Sequence, residues 1–172
     1  MYMYFVITPP EATVERGWIR GQQRGRYKSV EDFLGHSVEA YQGIPKLIFK
    51  WLAHTSPRYE FSFFDNSVAE GQFPLTSVIG NQKGMQVFDP MVFVNIERYQ
   101  KINIYAQSLA QVYPSSKRMA IANNMTFFNQ CLKRFPKVCF SVGQDSDPYL
   151  IVRQKTYTLP DPTLFDQQLE DP

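Results

Sequence analysis

The chain has 172 residues, of which 44% are hydrophobic and 20% charged, with a net charge of +2. Those values fit one soluble domain of ordinary size whose core is rich in aromatics, given 14 Phe and 10 Tyr. They argue against a protein that lives on nucleic acid, which carries a larger basic excess, and two cysteines are too few for a disulfide scaffold.

Tyr2 to Ile7 is a continuous aromatic and β-branched run stopped by Thr8-Pro9-Pro10. It reads as a strand buried on both faces, as in a parallel sheet covered by helices. It is too short for a membrane span and lacks the charged start and cleavage site of a signal peptide. Thr8 is a candidate N-cap, with proline in the first turn and Glu11 beside it. A helix should follow to about Gly21, burying Val14 and Trp18. Ser29 to Asp32 resembles a capping box and opens a second helix with Val30, Phe33, Leu34, Val38 and Tyr41 at helical spacing. Gly43 and Pro45 should close it, and Lys46 to His54 reads as a further short helix.

Arg58 to Phe64 reads as a strand, ended by Asp65-Asn66-Ser67. Leu75–Ile79 and Met85–Phe88 flank Gly80 to Gly84 as a hairpin. Asp89-Pro90 should start a helix that runs through Val92, Ile96, Tyr99, Ala106, Leu109 and Tyr113 to Pro114. Ser115 or Ser116 should cap the next, carrying Ile121, Met125, Phe128, Leu132 and Phe135 to Pro136. Val138–Val142 and Tyr149–Val152 read as two strands, and the Pro- and acid-rich stretch from Leu159 as a mobile tail. Together this is an α/β pattern: residues 1–88 as one half of a core, 89–158 as a helical and β-hairpin extension of the same unit, and 159–172 as the tail.

One stretch carries a chemical signal. Arg-Gly recurs every four residues, at Arg16-Gly17, Arg20-Gly21 and Arg24-Gly25, with Arg26, Tyr27 and Lys28 next. Four residues is close to one helical turn, so Arg16, Arg20 and Arg24 would share one face. Each glycine weakens the helix by roughly 1 kcal/mol relative to alanine. A guanidinium strip on a loosened backbone suggests a lid over an anion, and phosphate is the usual partner of clustered arginine. The plainer reading is a solvated basic face.

Other chemistry is not signalled. There is no G-x-x-x-x-G-K-[ST], G-x-G-x-x-G or G-x-S-x-G. His36 and His54 read as surface or capping residues, and Cys131 and Cys139 as inert thiols in apolar surroundings. Two histidines without C-x-x-C indicate no metal site. The setting implied is a reduced, cytoplasmic one.

The order of parts resembles a known family. A strand ending in Thr-Pro-Pro-Glu, a helix leading into RGQQRGRYKSVEDFLGH, and a strand ending in Phe-Phe-Asp-Asn-Ser look like the C-terminal half of a zeta-toxin-like P-loop kinase. The likeness covers about residues 3–80. It implies a partial parallel-sheet P-loop-kinase-like core whose Arg-bearing lid closes on ATP and Mg²⁺. Arg16, Arg20, Arg24 and Arg26 would contact nucleotide phosphates, with Arg20, Arg24 and Arg26 in catalytic roles. Tyr27 and Lys28 would serve an adenine face or a phosphate, and Asp65 and Asn66 would form the turn after the last core strand. The family's phosphate-cradling loop has no counterpart in the sequence. The resemblance therefore implies part of an ATP-dependent phosphotransferase, inactive without that half, with a nucleotide or phosphorylated small molecule as ligand. The first strand would have an unpaired edge, so a homo-oligomer, a partner chain covering it or a cover made by the C-terminal strands is expected. The alternatives are a non-catalytic phosphate- or RNA-binding protein and a protein-interaction module.

Overall fold

A computed structural model describes residues 1–54, 56–113 and 125–140, and the backbone of 150–152. The strands are β1 (Tyr2–Ile7), β2 (Glu60–Asp65), β3 (Leu75–Asn81), β4 (Gly84–Val87), β5 (Val138–Phe140) and β6 (Leu150–Val152). The helices are α1 (Pro10–Arg24), α2 (Val30–Leu52), α3 (Met91–Tyr99), α4 (Leu109–Val112) and α5 (Thr126–Arg134). The fold is mixed α/β. One sheet holds the six strands in sequence order. β1–β2 and β4–β5 pair parallel and the other neighbours antiparallel. The two parallel pairs are the ones joined through helices, as a parallel connection requires. No helix among the described residues is long and apolar enough to cross a membrane.

The strands alternate. Ile7, Phe61, Phe63, Val78, Met85, Val87 and Val138 point to one face and meet Tyr41, Ile44 and Ile48 of α2, most of α3, and Phe127, Phe128, Cys131 and Leu132 of α5. Residues from both halves of the chain thus share one core. A smaller cluster joins Leu34 to Ile102, Ala106 and Val112. The opposite face of β1 is open: Tyr2, Tyr4 and Val6 are 67%, 66% and 50% exposed. The expectation of a strand buried on both faces is thus corrected. The run is apolar throughout, but β1 is an edge strand and the core lies on one side of the sheet.

Three helix boundaries also differ from the sequence reading. Thr8 does not cap α1. Pro9 occupies the N-cap with no side-chain bond, and the Thr8 hydroxyl instead accepts from Asn66 Nδ2 at 2.9 Å. Ser29 does cap α2, accepting from Asp32 N–H at 3.0 Å, but that helix runs unbroken through Gly43 and Pro45. Proline removes the donor that would meet the carbonyl four residues earlier. That carbonyl, of Tyr41, accepts instead from Gln100 Nε2 at 3.0 Å. The long helix expected over 90–113 stops at Tyr99. Asn103 bonds locally, its Oδ1 accepting from Tyr105 N–H at 3.1 Å, and its own N–H donates to Val112 O at 2.8 Å; such bonds compete with helix. Ser115, Ser116 and Ile121 lie outside the described residues, as do Ser141, Val142 and Tyr149 of the expected strands and the expected tail.

The hairpin forms as the sequence suggests, with Asn81 Oδ1 accepting from Lys83 N–H at 2.8 Å across its turn. Gly80 has a separate reason to be glycine. A Cβ there would lie 2.3 Å from Cζ of Phe61, which is 1% exposed and has no room to yield. Gly80→Ala should therefore destabilise by about 1–3 kcal/mol through overpacking, a fall in melting temperature of roughly 2–10 °C for a chain of this size. Thermal unfolding followed by circular dichroism checks this; an unchanged midpoint would mean the Phe61 pocket is loose.

Candidate functional site

The carboxyl ends of β1 and β2 lie side by side, and α1 leaves from the first of them. The turn after β2 is braced there. Asp65 Oδ1 accepts from Ser67 N–H at 2.9 Å and from the Ser67 hydroxyl at 2.7 Å. Asn66 N–H donates to Ile7 O at 2.8 Å, while its amide donates to Thr8. Asp65 and Asn66 are thus a strand-ending turn that ties β2 to β1.

Arg16, Arg20 and Arg24 do line one face of α1, and they face the segment after that turn. Arg16 is committed to it: its guanidinium donates to Val68 O at 3.0 Å and to Asn66 O at 3.5 Å. One nitrogen of its fork, Nη2, is thus engaged by backbone carbonyls, while Arg16 still lines the cleft beside Arg20 and Arg24. Arg20 and Arg24 have no hydrogen-bond or ion-pair partner among the described residues. They lie with Gln23, Asn66 and Gln72 along an open cleft of about 340 Å³, with Glu70 also on its lining.

The rest of the basic stretch goes elsewhere. α1 ends at Gly25 in the left-handed conformation, φ 64°. Tyr27 turns back to pack on Trp18, ring centres 5.3 Å apart and planes tilted by 50°. Lys28 Nζ lies 3.3 Å from His36 Nδ1 and 5.9 Å from the centre of the Phe33 ring. Arg26, Tyr27 and Lys28 do not line the cleft, so the shared site expected for them with Arg20 and Arg24 is not formed. Two of the glycines of the basic stretch have packing reasons. A Cβ at Gly17 would sit 2.3 Å from Phe33 Cζ, and one at Gly21 2.9 Å from Tyr27 Cδ1. Gly17 lets α1 approach α2, and Gly21 makes room for the returning Tyr27.

Around the start of α1 is a polar layer that helical spacing presented only as apolar stripe. The Tyr41 hydroxyl donates to Thr8 O at 2.6 Å and accepts from Thr8 N–H at 2.8 Å. Burial pushes its pKa up to about 12, opposed by the Thr8 backbone and aided by the Asp65 and Glu11 carboxylates. Tyr113 donates to Glu11 Oε2 at 2.6 Å and lies under the Arg98 guanidinium, 3.9 Å from ring centre. Burial and that bond to Glu11 push its hydroxyl well up. Asp89 is raised too, mainly by burial and further by Asp65, against the bond it accepts from Met91 N–H at 2.9 Å. These tyrosines stay protonated at neutral pH and act as fixed donors that hold β1, α1 and α2 together.

Comparison with protein-family models, with curated proteins and with solved structures finds no match for this chain.

Proposed function

We propose that this chain binds a phosphate-bearing small molecule, and that Arg20 and Arg24 are the residues that hold it. The observation that carries the reading is a pair of adjacent guanidinium groups, without partners among the described residues, over a cleft at the carboxyl ends of two parallel strands. Ligands of open α/β sheets favour that end of the strands. Arg16 supports the site from below by fixing the 66–68 backbone, and Gln23, Asn66 and Gln72 add neutral polar groups. An anion with several oxygens suits two forks one helical turn apart.

The phosphotransferase reading uses the same cleft and asks for more. It requires a backbone cradle for β- and γ-phosphates and a Mg²⁺-holding hydroxyl contributed from outside the described residues. Binding by itself requires neither, so the non-catalytic reading is the one put forward.

The test is a thermal-shift titration with pyrophosphate, nucleoside mono- and triphosphates, and each with Mg²⁺. At ten times Kd a ligand stabilises by about 1.4 kcal/mol, which should raise the melting temperature by roughly 3–6 °C. Arg20→Ala/Arg24→Ala should weaken phosphate binding by about a hundredfold, taking about 1.4 kcal/mol for each lost charged contact. The double variant should melt near the parent, since neither side chain bonds to any described residue. No shift with any phosphate at millimolar concentration, or equal affinity in the double variant, would sink the reading. A shift that requires Mg²⁺ and a triphosphate would favour the phosphotransferase.

A further inference from the structure

β1 is the first strand of the sheet and pairs only with β2 among the described residues. In its parallel ladder with β2, Glu60 N–H donates to Met1 O and Asn66 N–H donates to Ile7 O. The odd-numbered residues therefore turn their peptide groups toward β2, and alternation directs those of Tyr2, Tyr4 and Val6 away from it. Among the described residues nothing pairs with them. This open run has a definite end: at Thr8 the Tyr41 hydroxyl meets both the N–H and the C=O. A side chain there closes the register that stays open at Tyr4 and Val6.

Beside this edge lies a groove of about 760 Å³ between β1 and α2. Its floor is apolar, from Phe5, Phe33, Ile44 and Leu47, and it is widened by the small residues Ala40 and Gly43. A Cβ on Gly43 would meet nothing within 4 Å. The outer rim carries Lys46 and Lys50, one turn apart, both exposed and without partners among the described residues. Glu39 is the one acidic side chain on the lining among the described residues.

We propose that this groove takes an extended, acid-bearing segment of a partner protein as an added strand on β1. Backbone bonds to Tyr2, Tyr4 and Val6 would supply sequence-independent affinity, as in other cases of strand addition. In a segment of about five residues, alternate side chains would enter the groove. The others would lie beside the exposed Tyr4 and Val6. An acidic residue would meet Lys46 and Lys50, and this charge match separates the proposed partner from a second β1, whose sequence YMYFVI carries no acid.

The experiment selects a random eight-residue peptide display library on the full chain, then measures synthetic versions of the winners by fluorescence polarisation. Enrichment of apolar, β-branched alternation with at least one acidic residue is expected. Two readouts assign the site. Hydrogen exchange at the Tyr4 and Val6 amides should slow by about tenfold or more in the complex, because opening then requires the added strand to leave. Lys46→Glu/Lys50→Glu should weaken acidic winners by about tenfold at low salt and favour basic ones. Ala40→Trp, at an exposed helical position, should fill the groove and abolish binding. The proposal fails if no peptide is enriched, or if winners ignore both variants. It also fails if the Tyr4 and Val6 amides are already protected in the free chain, which would assign the edge to a second copy or to the chain's own residues beyond 152.

Discussion

Phe93→Ala should destabilise the fold by about 3–5 kcal/mol, the usual range for deleting a buried phenyl ring. Phe93 is fully buried, on the face of α3 that packs between the sheet and α5. Its ring centre lies 5.8 Å from Phe63 of β2, 5.5 Å from Phe127 and 4.7 Å from Phe128 of α5. Phe63 also meets Phe127 directly, at 6.3 Å, so the ring of Phe93 closes a cluster that ties the sheet to α5. Aromatic pairs at these spacings add about 0.5–1.5 kcal/mol each beyond the area they bury. The substitution therefore removes the area, opens a cavity and breaks three pairs. Against a typical total of about 5–15 kcal/mol, the melting temperature should fall by roughly 6–20 °C. Urea unfolding should show a lower midpoint with an unchanged slope. Phe93→Leu, which refills most of the cavity, should lose less than half as much. A loss under about 1 kcal/mol for the alanine variant would mean the cluster is loosely packed.

That cluster bears on what the sequence could show. Phe61, Phe63 and Phe128 fell on expected strands and helices because alternation and helical spacing are local signals. What local signals missed lies at long range. α2 passes Pro45 because Gln100, 59 residues from Tyr41, satisfies the orphaned carbonyl. β1 is exposed on one face because of where the core lies, and no residue in YMYFVI encodes that. The arginine spacing was legible, and Arg16, Arg20 and Arg24 do share a face. Their roles were not, because the carbonyls that occupy Arg16 belong to residues 66 and 68. The glycines misled for the same reason: the contacts that require Gly17 and Gly21 come from Phe33 and Tyr27.

The basic stretch thus divides between two surfaces. Arg20 and Arg24 face the cleft after β2. Lys28 turns toward His36, which lines the groove beside β1. Gly25, the left-handed end of α1, is the residue at which the two diverge. The linings of the cleft and the groove share no residue, so a phosphate ligand and an added strand would not compete, and loss of one should leave the other intact. That independence follows from the geometry and sets the two site experiments apart.

Glu97→Ala should rank just behind Phe93→Ala, at about 2–4 kcal/mol. Glu97 is a 6% exposed carboxyl group in the core of α3, and it accepts a hydrogen bond from Phe127 N–H. That donor is among the first N–H groups of α5, which have no partner within the helix. The α5 N-cap, Met125, supplies no side-chain bond, and the first turn holds no acid. Glu97 therefore does from 30 residues away what a capping side chain does locally, and it places an acidic group at the positive end of the helix dipole. Alanine would leave the Phe127 N–H unmet in a dry core, about 1–3 kcal/mol by itself, and remove the favourable dipole contact, about 0.3–1 kcal/mol or somewhat more when buried. Glu97→Gln keeps an acceptor and the shape but not the charge, so it should lose about half as much. Urea unfolding at neutral pH gives both values, and hydrogen exchange at Phe127 should quicken in the alanine variant alone. If glutamine were as damaging as alanine, the charge rather than the acceptor would be what α5 requires. If alanine cost under about 0.5 kcal/mol, the range of an ordinary surface substitution, the α5 N-terminus would be held by its packing alone.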